Sequence, residues 1–334
     1  MLKIRKRSIK KVKWGIAGCG RFTELSIFPA INMLPRSTVV SLFSNDIKRA
    51  KSLSEKYGVS NYFNKYGEFL KSDIDAVYVA SSNHFHHDQV IQAARAGKNI
   101  LCEKPMSMNS SEAEDMIKVC EENKVLFSVG YAHRFHPLVE KTKAIIDSQM
   151  LGKLVSIQVN FNIDFPPGPN FRFSLAKSGG GALRDLGTHM IDMLRYFGGE
   201  IKSINGVIDE VVYKSEVEDF SSAIVKFNKG GYGYFNVSYN NKKAFNRIEV
   251  LGHKGSLSIE NYIGVKHFPS KLIIMIDGEA KKSFRKRANK LYHQVKSVQN
   301  SFLKNEPPLV TGYDGLINLK LMEELEAKCR TEKS

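Results

Sequence analysis

Three groups of residues have types and spacings suited to chemistry. Gly18-Cys19-Gly20-Arg21-Phe22-Thr23 follows an apolar run and opens a helix-like stretch. In that context the first glycine permits a tight turn, and the second lets backbone N–H groups approach a pyrophosphate at a helix N-terminus. Glu103-Lys104-Pro105 closes another apolar run. Proline holds Lys104 extended, and an ammonium at a strand end can hydrogen-bond a substrate hydroxyl and stabilise charge as its proton leaves. Asp185 and His189 follow three glycines, 179 to 181, and stand four residues apart. On a helix they share a face, where a carboxylate orients an imidazole and tunes it for proton transfer near neutral pH. The glycines would let a ligand or cofactor approach the backbone. Taken alone, each group has a plainer alternative: a glycine turn, a surface lysine, a helix-surface Asp-His pair.

The elements that must position these groups follow from hydropathy. Apolar runs at 12–17, 39–43, 76–80, 99–102 and 126–129 read as buried strands, with helix-like stretches at 47–57 and 87–96 between them. This alternation predicts a doubly wound α/β domain around a parallel sheet, whose ligand edge lies at the carboxyl ends of the strands. Beyond residue 133 the pattern changes. A helix is expected at 137–149, closed by Gly152, then a half-exposed antiparallel strand at 154–163 and a Pro/Gly loop at 165–170. A helix at 181–197 and alternating segments over 204–260, with turns at 228–231 and 253–255, complete an α+β domain on a large, mostly antiparallel open sheet. The expected division is residues 1–133, with 1–12 a basic tail, and 134–334, whose C-terminal helix packs back on the first domain.

The choice between nicotinamide cofactors is expected at the end of the second strand, where NAD enzymes place an acid on the ribose. Ser44 and Asn45 stand there, with Lys48 and Arg49 close by to meet a 2′-phosphate. The reading favours NADP over NAD. Asp46 either serves NAD through a shifted turn or caps the next helix.

Charge does not add a second function. The chain of 334 residues has 50 Lys+Arg against 34 Asp+Glu, a net +16. Seven basic residues and no acid fall in 1–13, and eight and no acid in 281–304, which leaves the rest near neutral at +1. Specific nucleic-acid binding therefore has little support. The 281–304 segment, with Leu291, Val295, Val298 and Phe302 at helical spacing, reads as an amphipathic helix whose basic face attracts an anionic ligand. No apolar run is long enough to span a membrane, and no signal-peptide pattern follows the basic N-terminus. Cys19, Cys102, Cys120 and Cys329 are scattered, so neither a zinc site nor a disulfide framework is indicated. A cytoplasmic protein without a metal is expected.

Gly18-Cys19-Gly20-Arg21, Asn83-His84-Phe85-His86, the stretch 97–105 ending in Glu103-Lys104-Pro105, Arg134-Phe135-His136-Pro137 and the run 179–192 occur in an order and spacing that resembles the glucose-fructose oxidoreductase / inositol dehydrogenase family (Gfo/Idh/MocA). The resemblance runs over nearly the whole chain. It implies a Rossmann domain, a second domain whose open sheet forms homo-oligomer interfaces, and hydride transfer between NAD(P) and a sugar, cyclitol or related compound. It also implies that Lys104, Asp185 and His189 surround the reacting carbon, with His189 the acid/base, Asp185 tuning it and Lys104 polarising the oxygen. The cofactor would lie along Gly18, Cys19, Gly20, Arg21, Phe22, Ser44, Asn45, Ser81, Asn83, His86, Glu103 and Lys104. Substrate would meet Lys104, Asp185 and His189. Read from its own residues, the Pro- and Phe-rich loop 164–172 either closes over a sugar ring, with Phe171 stacking on its apolar face and Arg172 meeting a carboxylate or phosphate, or packs its Phe residues in the core and leaves Arg172 in solvent. Arg134 matches a residue at the domain junction, where a salt bridge is expected. Two alternatives stay open: a nucleotide-sugar or aminosugar ketoreductase, and a dinucleotide-sensing regulator without catalysis.

Overall fold

The structure is a computed structural model that describes residues 11–263 and 269–331. Most of the basic segment 1–13 lies outside the described residues.

The first sheet is parallel throughout. Its strands are β1 (Val12–Ala17), β2 (Ser37–Phe43), β3 (Asn61–Phe63), β4 (Ala76–Val79), β5 (Asn99–Cys102) and β6 (Phe127–Val129), in the order β3-β2-β1-β4-β5-β6. The connections are made by α1 (Phe28–Asn32), α2 (Ile47–Tyr57), α3 (Tyr66–Leu70), α4 (His86–Arg95) and α5 (Ser110–Glu122). Strands such as β4 are buried along their whole length, as continuous apolar runs between helical layers must be. The order reverses between β1 and β4, so their carboxyl ends open the crevice in which such sheets bind ligands. Local signals set the helix ends. Asp46 accepts the Lys48 N–H at 3.0 Å as the N-cap of α2, and Gly58 (φ +66°) ends that helix.

The second sheet is built by β7 (Leu154–Asp164), β8 (Ile201–Asp209), β9 (Phe220–Phe227), β10 (Tyr232–Ser238), β11 (Asn240–Gly252), β12 (Gly255–Glu260), β13 (Ser270–Ile276) and β14 (Lys282–Lys286). Their order is β14-β13-β12-β11-β7-β10-β9-β8. Every neighbour pair is antiparallel except β7 and β10, so β7, expected as an antiparallel strand, is antiparallel only on its β11 side. Helices α6 (Pro137–Asp147) and α8 (Thr188–Gly198) pack on it, and the short α7 (Leu175–Ser178) packs on the turns at 83–85 and 171–173.

Two further departures bear on the site. The expected helix at 181–197 opens with a π-helical turn, Leu183–Gly187, before α8 begins. The basic run 281–304 is not one helix but β14 followed by α9 (Lys290–Lys304). Lys282, Arg285 and Lys286 on the strand and Lys290, Lys296 and Lys304 on the helix therefore face different surroundings. α9 returns to the first sheet. Its Val295, Val298 and Phe302 join Trp14, Ile16, Phe28 and Leu42 in one apolar cluster, and Gln299 accepts a 2.7 Å bond from Ser37. The last helix, α10 (Gly312–Thr331), packs on α5, α8 and β8 and so touches both layers. Arg134 lies at this junction, paired with Asp192 through Nη2 at 2.6 Å and with Asp314 at 2.9 Å, as a salt-bridging junction residue should.

Candidate active site

A cleft of about 740 Å³ opens at the carboxyl ends of β1, β2, β4 and β5. All the expected cofactor residues border it: Gly18 to Phe22, Ser44, Asn45, Ser81, Asn83, His86, Glu103 and Lys104. Arg172 and His189 border it as well, and Asp185 does not.

The dinucleotide end begins at Gly18, whose φ of +110° and contact with the Ala80 backbone leave no room for a Cβ, which would sit 2.5 Å from the Ala80 carbonyl. A Cβ on Gly20 would meet nothing within 4 Å, so the backbone there faces open space. Thr23, where the motif commonly has a small residue, turns its hydroxyl inward and donates to the Gly18 carbonyl at 2.6 Å, which ties the turn to the helix. Cys19 is buried and donates to the Phe43 carbonyl, and burial pushes its thiol up to about 12, so it is an inert packing residue at the cleft wall. The bordering residues at the end of β2 are Ser44, Asn45 and Arg49; Asp46 faces its own helix as a cap. These groups fit a phosphate-bearing dinucleotide: a glycine cradle, open backbone and cationic side chains.

Several expected cofactor contacts turn out to be bolts between loops. His86 has Nδ1 at 2.9 Å from the Pro105 carbonyl and Nε2 at 3.0 Å from the Ser81 carbonyl, so both ring nitrogens are committed to backbone. Burial drives its pKa down to about 4, although the two carbonyls favour the protonated ring. Asn83 donates its amide to Ser178 at 2.9 Å and links the first sheet's loop to the segment before Gly179. Ser81 donates its hydroxyl to Gln89 at 2.7 Å. Glu103 accepts from Tyr78 at 2.6 Å, and burial raises its carboxyl's pKa.

At the other end Lys104 Nζ donates to Asp185 Oδ1 at 2.7 Å and to the Asp185 carbonyl at 2.8 Å. Asp185 Oδ2 accepts from Arg172 Nε at 3.1 Å and from Tyr239 at 2.9 Å. Burial opposes its charge, but the Lys104 and Arg172 cations win and hold the carboxyl well below the usual carboxylate range. Asp185 thus stands behind Lys104 and Arg172 with both oxygens taken. This corrects one expectation. Asp185 makes no bond to His189, because partners from three other elements occupy it, which helical spacing does not reveal. Arg172 also borders the cleft, as expected of a substrate-side residue, but its Nε is bonded to Asp185 and its guanidinium lies over the Phe171 ring at 4.8 Å, which the sequence did not indicate. The three glycines are also explained differently. None borders the cleft; a Cβ on Gly181 would lie 2.0 Å from the Glu218 carbonyl, and the Glu218 carboxylate accepts the Gly181 and Leu183 N–H groups at 2.9 Å each.

His189 faces the cleft with its Nδ1 buried and without a hydrogen-bond partner. Burial, then the Lys104 charge, depress its pKa well below the ordinary value; Asp185 pulls the other way and loses. The ring is neutral at pH 7. Two bordering groups were not anticipated as site residues. His133, one position before Arg134, packs on His189 with ring centroids 4.2 Å apart, and neither of its ring nitrogens has a partner. Lys290, counted only within a basic run, enters from the first turn of α9. No spacing rule links either to the motifs. Among the described residues no cluster of three or more metal-ligating side chains occurs.

A Rossmann-ordered sheet with a glycine turn and a lysine just past β5, joined to a mostly antiparallel sheet whose helix α8 brings a neutral histidine to the same cleft, defines a nucleotide-dependent oxidoreductase. Residues 12–131 match the oxidoreductase family with an NAD-binding Rossmann fold, and 139–258 match the GFO/IDH/MocA C-terminal domain. The chain belongs to the Gfo/Idh/MocA oxidoreductase family. It is 26% identical over 327 residues to the myo-inositol 2-dehydrogenase of Thermotoga maritima, across 92% of this chain and 93% of the relative. Two solved structures share its fold. The aldose-aldose oxidoreductase of Caulobacter crescentus, complexed with glycerol, superposes with a TM-score of 0.89 at 24% identity, over 97% of this chain and 98% of that one. A 3-ketoreductase of Actinomadura kijaniata, in complex with NADP and TDP-benzene, gives 0.85 at 22% identity over 96% and 98%.

Proposed function

We propose that the protein interconverts an alcohol and a carbonyl on a sugar, cyclitol or sugar derivative with NADP(H), using Lys104 and His189. The observation that carries this reading is their shared position: an ammonium fixed by Asp185 and a neutral imidazole border one cleft with the Gly18–Gly20 turn. The nicotinamide, when bound, accepts or supplies the hydride. In the oxidising direction Lys104 donates a hydrogen bond to the substrate oxygen and stabilises the charge that develops there, while neutral His189 takes the hydroxyl proton. In the reducing direction His189 in its protonated form returns that proton, and Lys104 polarises the carbonyl. Asp185 acts through Lys104 and Arg172 as a positioning residue. The lean to NADP(H) is supported by Arg49 bordering the cleft beside Ser44 and Asn45, while Asp46 is used as a cap.

The test is a panel of polyols, sugars and nucleotide sugars with each cofactor, read at the reduced-nicotinamide absorbance. Lys104→Met and His189→Ala should each cut kcat by 100-fold or more, on the order expected for lost charge stabilisation or acid/base help, while cofactor binding is retained. Near-normal turnover in either variant would sink the assignment. Tight cofactor binding without turnover of any substrate would favour a sensing role.

We infer that two copies associate through the outer face of the second sheet, where Val155, Ile224, Tyr232, Tyr234, Leu251 and Met275 are exposed. A monomeric mass by light scattering at micromolar concentration would overturn this. The four separated buried thiols support a reducing, cytoplasmic location, which cell fractionation checks. Among the described residues no helix is long and apolar enough to cross a membrane.

A further inference from the structure

Lys290 differs from Lys104 and Arg172, two other cations of the cleft. Lys104 and Arg172 share the Asp185 carboxylate at 2.7 and 3.1 Å, and neither is left without a counter-charge. Lys290 pairs with no carboxylate among the described residues; its ammonium donates to the Ile263 carbonyl at 2.5 Å and has two further N–H donors. It is half-buried at the first position of α9, a helix capped by Asn289 and packed on the first sheet, so the stem is held and not free to swing into solvent. Beside it His133 is 3% exposed, borders the cleft, and leaves both ring nitrogens without a protein partner. A buried imidazole with two empty bonding positions next to an unpaired ammonium is costly to maintain unless a ligand completes it. The acids do not compensate: Glu103 is the carboxylate bordering the cleft, and it is bonded to Tyr78.

We propose that Lys290 and His133 form a subsite that selects substrates carrying an anionic group, a carboxylate or a phosphate, on the sugar. The inference rests on the oxidoreductase reading for the identity of the ligand as a sugar. The ammonium takes the anion, and His133 bonds the hydroxyls or the anion's remaining oxygens. Burial brings the Lys290 ammonium down to about 7, and a bound anion would favour its charged form.

Calorimetric titration of the NADP-saturated protein with D-glucose, D-glucuronate and D-glucose 6-phosphate separates the outcomes. The wild type should bind one anionic sugar about 10- to 100-fold more tightly than glucose, the range of one charge-assisted contact. Selection of glucuronate alone identifies a carboxylate, and of glucose 6-phosphate alone a phosphate. Lys290→Met should abolish that preference, while Lys290→Arg, which keeps the charge, should retain most of it; thermal melting confirms that both are folded. Equal or tighter binding of glucose by the wild type, no binding of any of the three, or a preference that survives Lys290→Met overturns the proposal. Turnover is scored separately. Anion-selective binding with no reaction of any sugar counts against the oxidoreductase reading, whereas turnover of neutral sugars with no anion preference counts against the subsite alone.

Discussion

Replacing Asp185 with Asn keeps the side chain's shape and removes the charge that two cations share. Lys104 Nζ sits 2.7 Å from one carboxylate oxygen; Arg172 Nε and the Tyr239 hydroxyl approach the other at 3.1 and 2.9 Å. An amide cannot satisfy this arrangement. With its oxygen toward Lys104 it turns an N–H donor on Arg172 Nε, which cannot accept, although the Tyr239 hydroxyl can turn to do so; flipped, it turns the donor on the ammonium. Breaking a buried pair by removing one partner costs about 3–5 kcal/mol, and Lys104 and Asp185 side chains are only 12% and 18% exposed. Urea denaturation at pH 7 of Asp185→Asn, Lys104→Met and the double variant measures the loss and the coupling. The double variant should be less destabilised than the two singles combined, by about 1.5 kcal/mol or more. Losses that add to within about 0.5 kcal/mol would refute the pairing as the source of the effect. The pH dependence gives a second check. Because the folded carboxyl is depressed, its stabilisation is fully present above the unfolded value of about 3.9 and is lost as pH falls toward the folded one. The wild type and Asp185→Asn should therefore differ by a constant amount above pH 5 and converge below about pH 4.

Three further outcomes are expected. Arg49→Ala should lower the preference for NADPH over NADH by about fivefold, a modest figure for a largely exposed side chain, measured as the ratio of kcat/KM values. Burial depresses the pKa of His133 and brings that of His136 down to about 4, so the unfolded chain binds more protons below about pH 6.5 and stability falls with acid. The His136 ring should contribute a loss of about 2 kcal/mol by pH 5, and His133→Gln should flatten the urea-midpoint profile over that range. Gly181→Ala, whose methyl would overlap the Glu218 carbonyl, should cost about 2–3 kcal/mol, while Gly20→Ala, with nothing within 4 Å, should leave stability unchanged in the same thermal melt.

What was legible in the sequence followed local rules. Five strands of the first sheet are short, mainly apolar and largely buried runs, and α2 begins at its Asp46 cap and ends at Gly58, so their bounds fall within two residues of expectation or on it. β3 is three residues long and largely exposed, with no hydropathic signature to read. β7 alternates like any half-exposed strand, and alternation does not say whether its neighbour runs parallel or antiparallel. At the site, residues on the motif-bearing strand ends could be named because chain order places them at one sheet edge. The partners of Asp185 come from β5, the loop before α7 and β10's end, and Lys290 from a helix more than 100 residues away from His189 in sequence; only the tertiary fold joins them. The glycines before Asp185 were noticed for a real reason, a close backbone approach, but the approaching group is Glu218.

The return of α9 to the first sheet fixes an order of events in folding. Trp14, Ile16 and Phe28, which α1 and α2 enclose in part, are fully enclosed when Val295, Val298 and Phe302 arrive, with the Trp14 and Phe302 rings tilted 5.7 Å apart. On a ribosome adding about 5–20 residues per second, the roughly 170 residues between β6 and Phe302 take on the order of 10–30 s. For that interval this face, which α1 and α2 also cover, lacks its α9 residues, and the same helix delivers Lys290 to the cleft. Completion of the first layer and completion of the reaction chamber are therefore a single late step, and a nascent chain that stalls before residue 290 holds a sticky sheet and an unfinished site together.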